Sequence, residues 1–179
     1  MSVMKTDYAS YLRDRGRVSL LMRRIFLLPI KRYFHGKVLD CYPDAIGIDR
    51  EYATASYCHA GGVRCIQADA HLLPFLNDSF DGVLLNNVLE HLERPEDALS
   101  EIRRVLKKGG ILVYSTCSLE KEENEDVIDM AINELGVELI EMNLDIGEPG
   151  LSDTTSITRR IWPDKSMTQG FFVAKMIKE

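Results

Sequence analysis

The sequence predicts an α/β domain built on a mostly parallel sheet. Three observations carry this. Short apolar runs alternate with helical patterns along the chain, which is the order that builds βαβ units. The runs are rich in Val, Ile and Leu without strict alternation, as suits strands covered on both faces. Three of them end in an acid (Asp40, Asp49 and Asp69), and open α/β sheets bind their ligands at the carboxyl ends of strands.

The elements follow in order. Lys37–Asp40, Ala45–Asp49 and Val63–Asp69 are the first three expected strands, Phe80–Asn86 the fourth and Ile111–Ser115 the fifth. The clearest helix lies between the last two. Pro95 suits its first position, and Glu96 and Asp97 its first turn. Leu99, Ile102, Val105 and Leu106 form one apolar face. Lys107 and Lys108 would close the last turn and Gly109-Gly110 would stop it. Glu120–Leu135 reads as a second helix stopped by Gly136. The end of the chain reads as an antiparallel pair, Ser156–Trp162 and Gly170–Ile177, joined by a turn at Pro163–Ser166.

The 179 residues are 45% hydrophobic and 28% charged, the balance of one ordinary globular domain. Cys41, Cys58, Cys65 and Cys117 form no C-x-x-C, so neither a zinc knuckle nor a redox motif is expected, and no metal site is assigned. Scattered thiols suit a reducing compartment, and the expected location is cytoplasmic. The start of the chain lacks the apolar region of a secretory signal. Leu20–Ile30 is interrupted by Arg23, Arg24 and Pro29, which makes it too short and too charged to span a bilayer.

The net charge of -6 argues against a protein that coats nucleic acid. The charge is uneven, however: residues 1–37 carry +7 and the remainder -13. Residues 1–35 are expected to form a basic helical segment, with Leu12, Leu20, Leu21, Ile25 and Leu28 on one stripe, ahead of a domain over 36–179. The segment is either a solvated amphipathic helix or a basic flap over an anionic substrate, a membrane surface or RNA.

An acid ending the second strand can accept hydrogen bonds from a ribose diol, and one on the third strand can accept from an adenine amino group; each is equally suited to a turn or a helix cap. The segments GKVLD, DAIGID and IQADAHLLPFLNDSFDGVLLNNVLEHLERPEDALSEIRRVLKKGGILVYS resemble a class I S-adenosylmethionine-dependent methyltransferase of the broad type 11 group. The resemblance implies a three-layer Rossmann-like sheet, mostly parallel, with an antiparallel C-terminal hairpin. It implies that Asp49 holds the ribose hydroxyls of S-adenosyl-L-methionine and that Asp69 and Ala70 recognise the adenine. It places Asn86 and Asn87 near the methionine end and His91 on the substrate wall. Asp40 and Arg50 join the expected cofactor set, Arg50 by stacking near the adenine.

The chain departs from that group after the first strand. Only four residues separate Asp40 from Ala45, and no Gly-rich loop stands there. A parallel connection needs about a dozen residues or more. The first crossover therefore reads as truncated, and the first two strands are not expected to be parallel neighbours.

A second resemblance covers the C-terminal third. Residues 114–125 (YSTCSLEKEENE), together with RIWPDK and TQGFFVAK near the end, resemble the Sun-family RNA cytosine-5 methyltransferases. In that family the cysteine of TCS attacks C6 of cytosine; Cys117 stands there, and is otherwise a small residue at a strand end. The family's D-x-P-C after the fourth strand is replaced by LLNNVLEH. The catalytic candidates are Cys117 and His91. The expected activity is methyl transfer to a small-molecule, lipid or glycan acceptor. RNA cytosine methylation is the alternative, and a non-catalytic protein of the same fold the third reading.

Overall fold

The computed structural model describes residues 38–39, 46–50, 64–142, 144, 146–166 and 170–179. Its strands are β1 (Val38–Leu39), β2 (Ile46–Asp49), β3 (Arg64–Gln67), β4 (Phe80–Asn86), β5 (Leu106–Thr116), β6 (Val137–Leu139), β7 (Arg159–Ile161) and β8 (Phe171–Lys178). Helix α1 spans Pro95–Val105, α2 Glu125–Leu135 and the one-turn α3 Pro163–Ser166. All strands join one sheet in the order β3-β2-β1-β4-β5-β8-β6, with β7 paired to β8. The first five run parallel, and β8 lies antiparallel to β5, β6 and β7. The order reverses between β1 and β4, the position where α/β sheets open a ligand crevice.

Side chains alternate across the sheet and build two cores. Val83, Leu85, Leu112, Tyr114, Phe172 and Ala174 face α1 and α2, which contribute Leu99, Ile102, Ile128 and Ala131. Leu84, Val113, Phe171 and Val173 face the other way, against Met142 and Ile161. Helix α1 starts at Pro95 with Glu96 and Asp97 in its first turn, which is the chemistry the sequence supplies.

Four expectations are corrected. First, β1 and β2 are parallel neighbours. Their register joins Leu39, the last residue of β1, to Ile46, the first of β2. The two strands are staggered end to start, and the crossover length needed where parallel strands lie side by side along their length does not apply. Second, β5 starts at Leu106, before the expected stop at Gly109-Gly110. Phe80 pairs with Leu106 and Gly82 with Ile111, so residues 107–110 form a bulge. Gly109 takes φ 73° there, and the Lys107 ammonium reaches Asp81 at 2.7 Å. Third, α2 begins at Glu125 and not at Glu120: residues 121–124 form a turn in which the Asn124 and Asp126 N–H groups donate to the Lys121 carbonyl. Fourth, β6 is a three-residue strand on β8 that the sequence does not announce. The basic N-terminal segment lies outside the described residues.

Candidate active site

The strand registers align a row of residues across the carboxyl edge. Leu39 is level with both Ile46 and Val83. Three residues further along each strand stand Asp49, paired with Gln67, and Asn86, paired with Ser115. The residues expected to touch a cofactor on β2 and β4 therefore share one level on the two sides of the switch point. Asp40 lies outside the described residues, and of Asp49 only the backbone is described.

Beyond β3, Asp69 serves a tight turn. Its Oδ1 accepts the backbone N–H of His71 at 2.9 Å and lies 2.6 Å from His71 Nδ1. The His71 backbone and side-chain hydrogen bonds, aided by the nearby charges, hold the Asp69 carboxyl below the usual range despite burial. Its second oxygen is 3.9 Å from the Arg50 guanidinium. Arg50 is exposed and ties to Gln67, whose Nε2 donates to the Arg50 carbonyl at 3.1 Å. Ala70 packs against the core. Asp69, Ala70 and Arg50 are thus brought together, with Asp69 in the turn role and one carboxylate oxygen directed at Arg50.

The turn is anchored from below by residues the sequence reading did not single out. Glu101 on α1 accepts the Leu73 N–H at 2.8 Å. Arg104, one turn on, donates to Glu101 and to the carbonyls of Leu73 and Phe75. Their acid-base spacing of three residues was the available signal.

After β4 the chain turns through Asn87, at φ 53°. The Asn86 Oδ1 accepts from Ser115 Oγ at 2.9 Å and from Asn87 Nδ2 at 3.3 Å. The Asn87 Oδ1 and both carboxylate oxygens of Glu90 are buried without a partner among the described residues. Burial pushes the Glu90 carboxyl up, as does nearby Glu123, against the weaker pull of its own backbone N–H and of His91. His91 ends a single 3-10 turn and is exposed, its N–H given to the Val88 carbonyl at 3.1 Å.

At the end of β5, Cys117 is an exposed free thiol in a loop held from beneath. Thr116 Oγ1 donates to Asn124 Oδ1 at 2.6 Å and accepts the Ser118 N–H at 3.2 Å. Asn124 Nδ2 donates to the Ser118 carbonyl at 3.1 Å. Tyr114 donates its hydroxyl to the Glu123 carbonyl at 2.6 Å. Arg160 makes a two-pronged ion pair with Glu125, both fully buried, and its Nη1 reaches the Leu119 carbonyl at 2.9 Å. The conspicuous polar residues of the second resemblance are therefore the supports of the Cys117 loop. Only tertiary contact reveals that.

Cys117 and Asn86 stand at the ends of adjacent strands, on a fold shared with methyltransferases that use S-adenosylmethionine. A solved methyltransferase of that class from Thermotoga maritima superposes with TM-score 0.64 over 95% of this chain and 97% of its own, at 20% identity. NSun6 from Pyrococcus horikoshii, crystallised with SFG, superposes with TM-score 0.67 at 27% identity, covering 80% of this chain and 48% of its own. A general methyltransferase-domain family model matches residues 28–114. The family model of the 16S rRNA methyltransferases RsmB/F matches residues 79–177, and the chain belongs to that family. Among curated relatives, a tRNA (cytosine(72)-C(5))-methyltransferase of Pyrococcus horikoshii is 34% identical over 139 residues, covering 65% of this chain and 34% of its own. A 28S rRNA (cytosine-C(5))-methyltransferase of Mus musculus is 38% identical over 89 residues, 45% of this chain and 11% of its own. The chain thus spans about a third or less of the length of these relatives.

These relatives correct the expected acceptor. A small molecule, lipid or glycan is what the type 11 likeness suggested, but the relatives are named for cytosine C5 of tRNA and rRNA, and the RsmB/F match covers the half of the chain that carries Cys117. The likeness to a general methyltransferase core reports the cofactor fold and is silent on the acceptor. No helix among the described residues is long and apolar enough to cross a membrane.

Proposed function

We propose that this chain carries S-adenosylmethionine-dependent methyl transfer to C5 of a cytosine in RNA, with Cys117 as the nucleophile. The observation that carries the reading is the exposed Cys117 thiol at the end of β5, one strand from Asn86 at the edge where the fold opens its crevice. The cofactor supplies an electrophilic methyl group. On the adenosine side the residues present fit it: Asp49 ends β2, and Asp69 lies in the turn just beyond β3 with Arg50 and Ala70 beside it. On the methionine side the unpartnered Asn87 Oδ1 is a buried acceptor for a donor that the rest of the described chain does not provide.

Cys117 Sγ would add to C6 of the pyrimidine and so make C5 nucleophilic; C5 would take the methyl with S-adenosylhomocysteine leaving, and loss of the C5 proton to water would restore the C5–C6 double bond and release the thiolate. A thiolate is the attacking form. Asn86 stands where the Sun family has the acid of D-x-P-C. Its amide can hydrogen-bond a base edge but does not release a proton, so any proton given to the ring comes from elsewhere. Leu89, buried in the same turn, takes the place of the second cysteine.

The test is transfer of radiolabelled methyl from S-adenosylmethionine to tRNA and rRNA fragments, followed by mass spectrometry of the digested nucleosides. The expected product is 5-methylcytidine, abolished by Cys117→Ala. S-adenosylhomocysteine binding, by calorimetry, is expected to survive that change and to weaken about tenfold or more in Asp49→Ala. Methylation at another atom, or full activity of Cys117→Ala, would overturn the assignment.

A further inference from the structure

Cys117 is exposed, yet the residues on either side of it are fixed by buried groups. Thr116 is fully buried, and its hydroxyl is used twice: it donates to Asn124 Oδ1 and accepts the Ser118 N–H. Asn124 is also fully buried and spans the turn, taking the Thr116 hydroxyl with its oxygen and giving its Nδ2 to the Ser118 carbonyl. The Thr116 side chain and the Ser118 carbonyl, on either side of Cys117, are thereby tied to one amide. One residue further on, the Leu119 carbonyl is held by Arg160. Asn124 contributes no cap to its own helix: it stands at the N-cap of α2 with φ -122° and ψ -91° and makes no side-chain cap hydrogen bond. An asparagine at an N-cap ordinarily accepts a backbone N–H of the first turn, which stabilises the helix. Here that interaction is forgone and both ends of the amide are spent on the cysteine's loop.

We propose that Thr116 and Asn124 form a clamp that positions Cys117 for attack, acting through the backbone of the 116–118 turn without touching substrate. This rests on the reading of Cys117 as the nucleophile. Nucleophilic attack demands a narrow approach, and a displacement of about 1 Å can cost about 100-fold in rate. A thiol on a free loop would meet that geometry only part of the time.

The test uses Thr116→Val, which keeps the shape and removes the hydroxyl, Thr116→Ser, which restores the hydroxyl, and Asn124→Ala. Two readouts are taken beside a thermal melt. The first is the rate at which iodoacetamide alkylates Cys117, followed by mass spectrometry of its peptide. It needs no RNA and reads the clamp even where the proposed activity fails. The second is methyl transfer to RNA, resolved into kcat and KM. Thr116→Val is expected to change the alkylation rate about threefold or more. It is also expected to lower kcat about tenfold or more, with KM for RNA and affinity for S-adenosylhomocysteine within twofold. Thr116→Ser is expected to match the wild type in both. An alkylation rate equal to wild type in Thr116→Val and Asn124→Ala overturns the clamp. So does a loss confined to KM or to cofactor affinity, or a Thr116→Ser variant as impaired as Thr116→Val. A wild-type chain that methylates no RNA overturns the function proposed above, and the alkylation rates then decide the clamp alone.

Discussion

Replacing Glu125 by Gln should unfold this protein far more readily than its one-atom chemistry suggests. Glu125 and Arg160 are both 0% exposed. Arg160 Nε donates to Glu125 Oε1 at 2.6 Å, its Nη2 donates to Oε2, and its Nη1 donates to the Leu119 carbonyl. Glu125 Oε1 also accepts the Leu151 N–H at 3.1 Å. The amide keeps the shape but leaves the guanidinium as an uncompensated buried charge. Removing one partner of such a pair costs about 3–5 kcal/mol, which in a domain of this size is a fall in Tm of about 6–20 °C. Adding Arg160→Met should recover most of the loss, since apolar replacement of a whole buried pair is close to neutral.

The pair also sets an acid limit. Burial pushes the Glu125 carboxyl up, but the Arg160 and Leu151 hydrogen bonds outweigh it and hold it below the usual range. A depressed folded value means stability that is present above the unfolded glutamate value, about 4.3, and is lost as pH falls through the folded one. The gap between wild type and Glu125→Gln should be constant near neutral pH and narrow below about pH 4. Urea unfolding followed by far-UV circular dichroism measures all three proteins. A Glu125→Gln chain within about 1 kcal/mol of wild type, or a double variant no more stable than the single, would refute the reasoning.

Three further outcomes follow from the same geometry. Gly147 has φ 80°, and a Cβ there would sit 2.6 Å from the Arg160 carbonyl oxygen; Gly147→Ala should cost about 2 kcal/mol or more in a denaturant titration. Tyr114→Phe removes the hydrogen bond to the Glu123 carbonyl and should cost about 1 kcal/mol, with the near-neutral pH dependence unchanged, because burial, reinforced by Glu90 and Glu123, holds the phenol far above its ordinary range. Glu90 is the opposite case to Glu125: its folded value is raised, chiefly by burial. Its contribution is full below the unfolded value and lost as pH rises through the folded one, so Glu90→Gln should be more stable than wild type near pH 7 and lose that advantage near pH 4; paired melts at the two pH values check this.

The parallel strands and α1 were legible because each is a local signal: apolar runs for β4 and β5, and Pro95-Glu96-Asp97 ahead of an apolar stripe. The early start of β5 was not. Lys107–Gly110 carries every mark of a helix end, and only the pairing of Leu106 with Phe80 pulls it into the sheet. The short gap after Asp40 misleads, because a crossover is required only where parallel strands lie side by side along their length, and β1 and β2 meet at a single pair. For the site, the acids at strand ends and Cys117 could be picked out one residue at a time. The Asn124 clamp and the Arg160–Glu125 pair could not: the pair joins residues 35 apart, Asn124 reaches back 8 residues to Thr116 across an irregular loop, and nothing local distinguishes a buried Arg or Asn from an exposed one.

The two-residue β1, joined to β2 by a single residue pair, bears on cooperativity. Among the described residues, β1 is the strand whose backbone pairs the β2–β3 ribbon to the wide sheet of β4, β5, β8 and β6. Strand pairing is therefore thinnest there, and the amides of β2 and β3 should exchange with solvent at a lower free energy than those of β4 and β5. Asp49 stands on one side of that narrow waist, and Asn86 and Cys117 on the other. A ligand that touches both sides is a staple across it, and part of its binding energy goes into holding the two sides together.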